Sequence, residues 1–229
     1  MEKLGIIIIG GEASETVSKI ANSLNIEVEV IEIPFILAQT NDEWINWDKR
    51  KEKIFSGIGI GAAGCLIGHY LAWERLSESD CNSALILESD AVLTRYGRKN
   101  LSSVTEKFNT LDWNILHLGT HVKIKDIFSI KNFLHLSPKV FAKEIWERIY
   151  LRSKSPRFAE MQFPFSTHGY LIKKEAAAFL SMQKLSFIAP VDVVLNSYSQ
   201  VRGNRILRAR TPLIIQNSKL PSQIKRLGR

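Results

Sequence analysis

Cysteine is scarce: Cys65 and Cys81 are the only two in 229 residues. They show no C-x-x-C spacing and no zinc-ligand pattern, so a disulfide framework and a structural zinc module are both excluded as expectations. Long apolar runs are missing too. The stretch LGIIIIG at residues 4–10 is far too short to span a bilayer. A secretory signal pattern is absent, because Glu2 and Lys3 precede only that brief run and Glu12 soon follows. A reduced, cytoplasmic protein is therefore expected. Between Arg202 and Arg229 there is neither an acid nor an aromatic ring. Without rings on which bases stack, single-stranded nucleic acid is a poor partner, and nucleic acid is not expected as a ligand.

The net charge of +8 arises from 31 basic against 23 acidic residues. Arg202, Arg205, Arg208, Arg210, Lys219, Lys225, Arg226 and Arg229 cluster at one end. The expectation is one α/β domain, residues 1–201, followed by a basic segment, 202–229. Such a segment reads either as a solvated tail or as a contact with an anionic membrane surface. The stretch SPKVFAKEIWERIYLRSKS, 137–155, reads as a basic amphipathic helix, packed on the core or lying on a membrane.

What is present points to an α/β fold. LGIIIIGG reads as an apolar strand, ASETVSKIANSL as an amphipathic helix, and IEVEVIEI as an alternating strand. A strand, helix and strand in that order imply a right-handed parallel crossover. Residues 62–77 read as a helix, WNILHLG at 113–119 as a strand, and GYLIKKEAAAFLSMQKL as a strand turning helical near Lys173. GIGAAG, Gly59 to Gly64, has the letters of a dinucleotide fingerprint without a good strand before it. A flexible loop entering the helix is the better expectation.

ALILESDAVL, residues 84–93, carries the chemistry. Four apolar residues suggest a strand covered on both faces, and it ends in Glu88, Ser89 and Asp90. Side chains two apart on a strand leave the same face, about 7 Å apart at Cα. If the chain turns at Ser89, both carboxylates converge on one hard divalent ion, magnesium or manganese. Ligands of parallel sheets sit beyond the carboxyl ends of strands, which is where these acids fall.

GCLIGHYLAWE followed by ALILESDAVL resembles glycosyltransferase family 25, with its G-C-x-x-S-H…W segment and L-I-L-E-D-D. WNILHLG, THGYLIKKEAAAFL, PVDVVL and TPLIIQNS follow in the family's order, so the resemblance covers roughly residues 57 to 218. It implies a GT-A-like, Rossmann-like single domain with a mostly parallel central sheet flanked by helices. The implied activity is transfer of a hexose, galactose or glucose, from a UDP-sugar donor to a glycolipid or oligosaccharide acceptor such as lipooligosaccharide, with inversion. Carried over by position, Glu88 and Asp90 hold the metal and the donor diphosphate, and His69 and Ser89 lie on the donor side. Asp192 is the candidate base, with a helix N-cap as its plain alternative. His168, Gly169 and Tyr170 lie on the acceptor side.

The chain departs from the family pattern at five places. Ser89 replaces the middle acid, Gly68 the serine before His69, and Ala62 the glutamate common before G-C. His168 stands where an aromatic is usual, and the N-terminus has its own wording. Loss of catalysis with retention of nucleotide-sugar or glycan binding is the alternative that these changes raise.

Overall fold

The computed structural model describes residues 3–10, 15–24, 28–33, 60–106, 112–119, 158–160, 167–183 and 189–217. The strands are β1 (Leu4–Ile9), β2 (Val28–Ile33), β3 (Ser83–Glu88), β4 (Ala91–Leu93), β5 (Ile115–His117), β6 (Phe158–Glu160), β7 (Gly169–Lys173), β8 (Ile206–Ala209) and β9 (Ile214–Gln216). The helices are α1 (Glu15–Leu24), α2 (Ile60–Glu78), α3 (Arg95–Glu106), α4 (Lys174–Met182) and α5 (Val191–Ser199).

Seven strands form one sheet in the order β2-β1-β3-β7-β5-β8-β6, and β4 pairs with β9 beside it. β1 is parallel to β2 and β3, and β5 is parallel to β8. β7 runs antiparallel between β3 and β5, and β6 runs antiparallel to β8. Five of the seven strands thus point one way. The β1–α1–β2 unit pairs its strands in parallel as expected, and the mostly parallel α/β sheet is the expected one too.

Burial follows the two-residue period of a strand. Ile7, Ile9, Ala84, Ile86, Tyr170, Ile172, Ile115 and Ile206 face one side, where α2, α4 and α5 cover them with Leu66, Trp73, Leu76, Leu180 and Leu195. Ile6, Ile8, Leu85, Leu87, Leu171, Leu116 and Leu207 face the other, under Val17, Ile20 and Leu24 of α1 and Leu101 and Val104 of α3. This double burial is why β1 and β3 read as unbroken apolar runs. Alternation is also what puts Glu88 on the same face as Ile86, under α2.

Two expectations change. Ile60 to Gly64 are helical, so the G-x-G-x-x-G letters open α2 instead of forming a loop before it. The basic segment from residue 202 is not a tail over its described part. β8 lies inside the sheet and β9 pairs with β4, with Ile206, Leu207, Ala209, Leu213 and Ile214 buried. The apolar residues between the arginines account for this, since Arg208 is itself 3% exposed within β8. Arg205 pairs with Asp112 at 2.9 Å, an exposed contact of small energetic weight. The amphipathic stretch at 137–155 and the basic residues from Lys219 onward lie outside the described residues.

Candidate active site

The site is built at the carboxyl edge of β1, β3 and β5, where β7 begins. β1 is followed by Gly10, whose φ of 96° is a left-handed conformation that suits glycine. The chain leaves β3 through a turn at Ser89 and Asp90, fixed by Ser89 N–H donating to the Ile9 carbonyl at 2.8 Å. The Glu88 amide donates to the His168 carbonyl at 3.2 Å, which ties β3 to the start of β7. The turn that convergence of the two acids requires is therefore present.

Glu88 is the hub. Its Oε1 accepts from Thr167 Oγ1 at 2.6 Å and lies 3.8 Å from Cys65 Sγ and 3.7 Å from His69 Nε2. Its Oε2 lies 2.6 Å from His168 Nδ1. Burial by itself would raise the carboxyl, but the hydrogen bond to His168 and the nearness of the His168 and His69 imidazoles outweigh it and hold Glu88 well below the usual carboxylate range. His168 shows the converse. Burial lowers it, yet the Glu88 hydrogen bond and the charges of Glu88 and Asp90 leave it raised.

Asp90 is held from the C-terminal strand. Its Oδ2 accepts from Gln216 Nε2 at 2.9 Å, and its carbonyl accepts from the Asn217 amide at 2.8 Å. Its Oδ1 is buried with no hydrogen-bond partner among the described residues, 3.9 Å from His168 Nδ1. One ligand atom each from Glu88, Asp90 and His168 lie within 4.8 Å of one another. An orphaned carboxylate oxygen facing two further donors fits a hard divalent cation, so the residues present suit the expected manganese or magnesium.

Behind the carboxylates stands a row of rings. His69, on α2, is wholly buried and stacks on Tyr170 with centroids 5.6 Å apart. Its Nδ1 is 2.7 Å from the Tyr170 hydroxyl, which also accepts from Trp73 Nε1 at 2.9 Å. Tyr170 also stacks with His117, with centroids 5.9 Å apart. His117 Nδ1 donates to the Gly119 carbonyl at 3.2 Å, and burial pushes its imidazole down to about 4, so it is neutral at pH 7.

Asp192 sits in the first turn of α5, where Pro190, not Asp192, occupies the N-cap. Its Oδ1 accepts from the Val193 amide at 3.0 Å, and burial raises its carboxyl despite that bond. α5 packs on the same face of the sheet as α2, the helix that carries Cys65 and His69.

Glu88, Asp90 and His69 come together, and Ser89 forms the turn between the acids. The residues expected on the acceptor side fare differently. Gly169 and Tyr170 are inside the protein, while His168 is turned onto Glu88. Thr167, Gln216, Cys65 and His117 were not singled out by chemistry. Thr167 and Gln216 stand within THGY and TPLIIQNS, so their positions carried a signal and their roles did not.

The model of glycosyltransferase family 25, described as an LPS biosynthesis protein family, matches residues 14–195. The chain belongs to glycosyltransferase family 25. The match spans α1 to α5 and includes Glu88, Asp90, His168 and Asp192, so this family 25 chain is a glycosyltransferase. No curated protein matches it. Two solved structures are similar to the family 25 chain. A glycosyltransferase involved in the glycosylation of the major capsid of PBCV-1 is 8% identical, with 98% of each chain covered and a TM-score of 0.46. A197 from STIV is 14% identical over 93% of this chain and 83% of its own, with a TM-score of 0.42.

One departure from the family pattern has a packing cause. A Cβ at Gly68 would stand 2.5 Å from Ile9 Cγ2. The serine common in the family therefore has no room beside this chain's isoleucine-rich first strand. Gly68→Ser is expected to lower thermal stability by about 1–3 kcal/mol, as overpacking does. Ile9→Ala in the same chain should recover part of that loss relative to Ile9→Ala alone, read as a double-mutant cycle in denaturant unfolding.

Proposed function

We propose that this chain transfers a hexose, galactose or glucose, from a UDP-sugar to a lipooligosaccharide or another surface glycan, with inversion. The observation that carries the reading is the convergence of Glu88, Asp90 and His168 at the carboxyl end of β3, with Asp90 Oδ1 orphaned. Glu88, Asp90 and His168 would hold manganese or magnesium, which neutralises charge on the leaving diphosphate.

The chain's own residues do the rest. Tyr170 and Trp73 fix the His69 ring behind Glu88, and Thr167 fixes one carboxylate oxygen. Gln216 orients Asp90. In the transfer, the acceptor hydroxyl oxygen bonds to the anomeric carbon as the bond from that carbon to the diphosphate oxygen breaks. Asp192 takes the hydroxyl proton. Its raised carboxyl makes it a stronger base than an exposed aspartate. Peripheral association with anionic lipid, weakened by salt, belongs to the proposal through Lys219, Lys225, Arg226 and Arg229.

The test is a transfer assay over UDP-sugars with manganese present, on wild type and Asp192→Asn. One productive UDP-sugar is expected, with kcat in the variant about 10²–10⁴-fold lower and donor affinity unchanged. Equal kcat in the two proteins would remove Asp192 as the base. No turnover with any UDP-sugar and any glycan acceptor would remove the donor assignment.

A further inference from the structure

Cys65 and His69 lie four residues apart on α2, so one helix face presents both to the end of β3. His69 is wholly buried, and its Nε2 has no hydrogen-bond partner among the described residues. Both Nε2 and Cys65 Sγ face the same oxygen, Glu88 Oε1, at 3.7 Å and 3.8 Å. One ligand atom from each residue lies within 4.8 Å of the other two.

These three donors differ in kind from the oxygen-rich set around Asp90. A thiolate, an imidazole nitrogen and a carboxylate are the donors zinc takes. Tetrahedral bonds of about 2.0–2.3 Å set such ligand atoms roughly 3.4–3.6 Å apart. The two separations to Glu88 Oε1 need only slight closing, and the third, between Cys65 and His69, lies within 4.8 Å. An outer shell is already in place as well. The Tyr170 hydroxyl, held by Trp73, lies 2.7 Å from His69 Nδ1 and can accept a hydrogen bond from Nδ1–H, the tautomer in which Nε2 carries the lone pair facing Glu88.

We propose that Cys65, His69 and Glu88 form a second cation site, selective for a thiophilic divalent ion of which zinc is the representative. Glu88 belongs to both sets, so filling one withdraws a ligand from the other. Zinc at this site therefore displaces the ion that serves the donor diphosphate, and acts as an inhibitor. That consequence rests on the function proposed above; binding itself does not.

Cobalt(II) titrated into the full-length chain and read by absorption tests the site. A thiolate-to-cobalt charge-transfer band should saturate at one equivalent and vanish when zinc is added. Cys65→Ser should abolish the band. It should also weaken zinc binding by more than the about 10- to 100-fold that loss of an outer-shell partner causes. Cys81→Ser should leave both readings unchanged. A folded wild-type chain without the band would overturn the proposal, and so would a band lost with Cys81→Ser but kept in Cys65→Ser. An intact band in a chain that transfers no sugar would remove the donor reading and leave this site standing.

Discussion

Replacing Glu88 by glutamine is expected to lower kcat/KM for sugar transfer by at least about 10²-fold, the scale of losing one electrostatic stabiliser of developing charge. Glutamine keeps the shape of the side chain and its acceptor oxygen for Thr167, so the protein stays folded. It loses the charge that would bind the cation and that pairs with His168. The stability of the variant carries a second signature. In wild type, Glu88 is depressed, so its contribution is present above about pH 4.3 and is lost as pH falls. His168 is raised, so its contribution is complete below about pH 6.5 and is lost as pH rises through its elevated value. The difference in Tm between wild type and Glu88→Gln should therefore be greatest between about pH 4.3 and 6.5, and smaller on either side. A difference independent of pH would show that the two residues are not coupled.

Deleting residues 202–229 is expected to unfold the protein, although on charge alone these residues look dispensable. The deletion removes β8 from between β5 and β6, and β9 from its pairing with β4. Ile206, Leu207, Leu213 and Ile214 are buried. At about 1.5–3 kcal/mol each, their loss comes to roughly 6–12 kcal/mol, close to the whole stability of a typical domain, about 5–15 kcal/mol. Gly97 shows how closely this segment is seated, since a Cβ there would stand 2.0 Å from the Leu213 carbonyl oxygen. Gln216, which holds Asp90, is lost with it. Circular dichroism of the truncated chain should show no cooperative melt, whereas a cut after residue 217 spares every described strand. A cooperative melt of the shorter chain near the wild-type Tm would contradict this placement.

Much of the first half of the sheet was legible because its strands are buried on both faces. ILESDA announced an apolar strand ending in acids, and the turn at Ser89 then followed from the requirement that both carboxylates meet. β8 and β9 were obscured because arginine is rare inside a sheet. Four arginines between residues 202 and 210 outweighed short apolar pairs such as Ile206 and Leu207. The antiparallel insertion of β7 between β3 and β5 joins segments some 80 residues apart, and nothing local encodes that pairing.

The site divides in the same way. Glu88 and Asp90 carried their signal in residue type and spacing, and His69 carried its signal only through the family resemblance. His168 did not, since its contact with Glu88 depends on how β7 meets β3. Cys65 and His69 were readable as a pair at helical spacing, but a search for C-x-x-C passes over them. Gly68 is one of the departures that raise the degenerate alternative, but Ile9 fills the space that a serine there would need. It therefore counts less toward a degenerate enzyme than its letter suggested.

The most direct measurement is calorimetric binding of UDP-sugars to wild type and Asp90→Ala, each with and without manganese. The expected result is binding of one UDP-sugar that requires manganese in wild type and disappears in the variant. Binding that is equally tight without manganese, or unchanged in Asp90→Ala, would contradict the placement of the donor diphosphate at the end of β3.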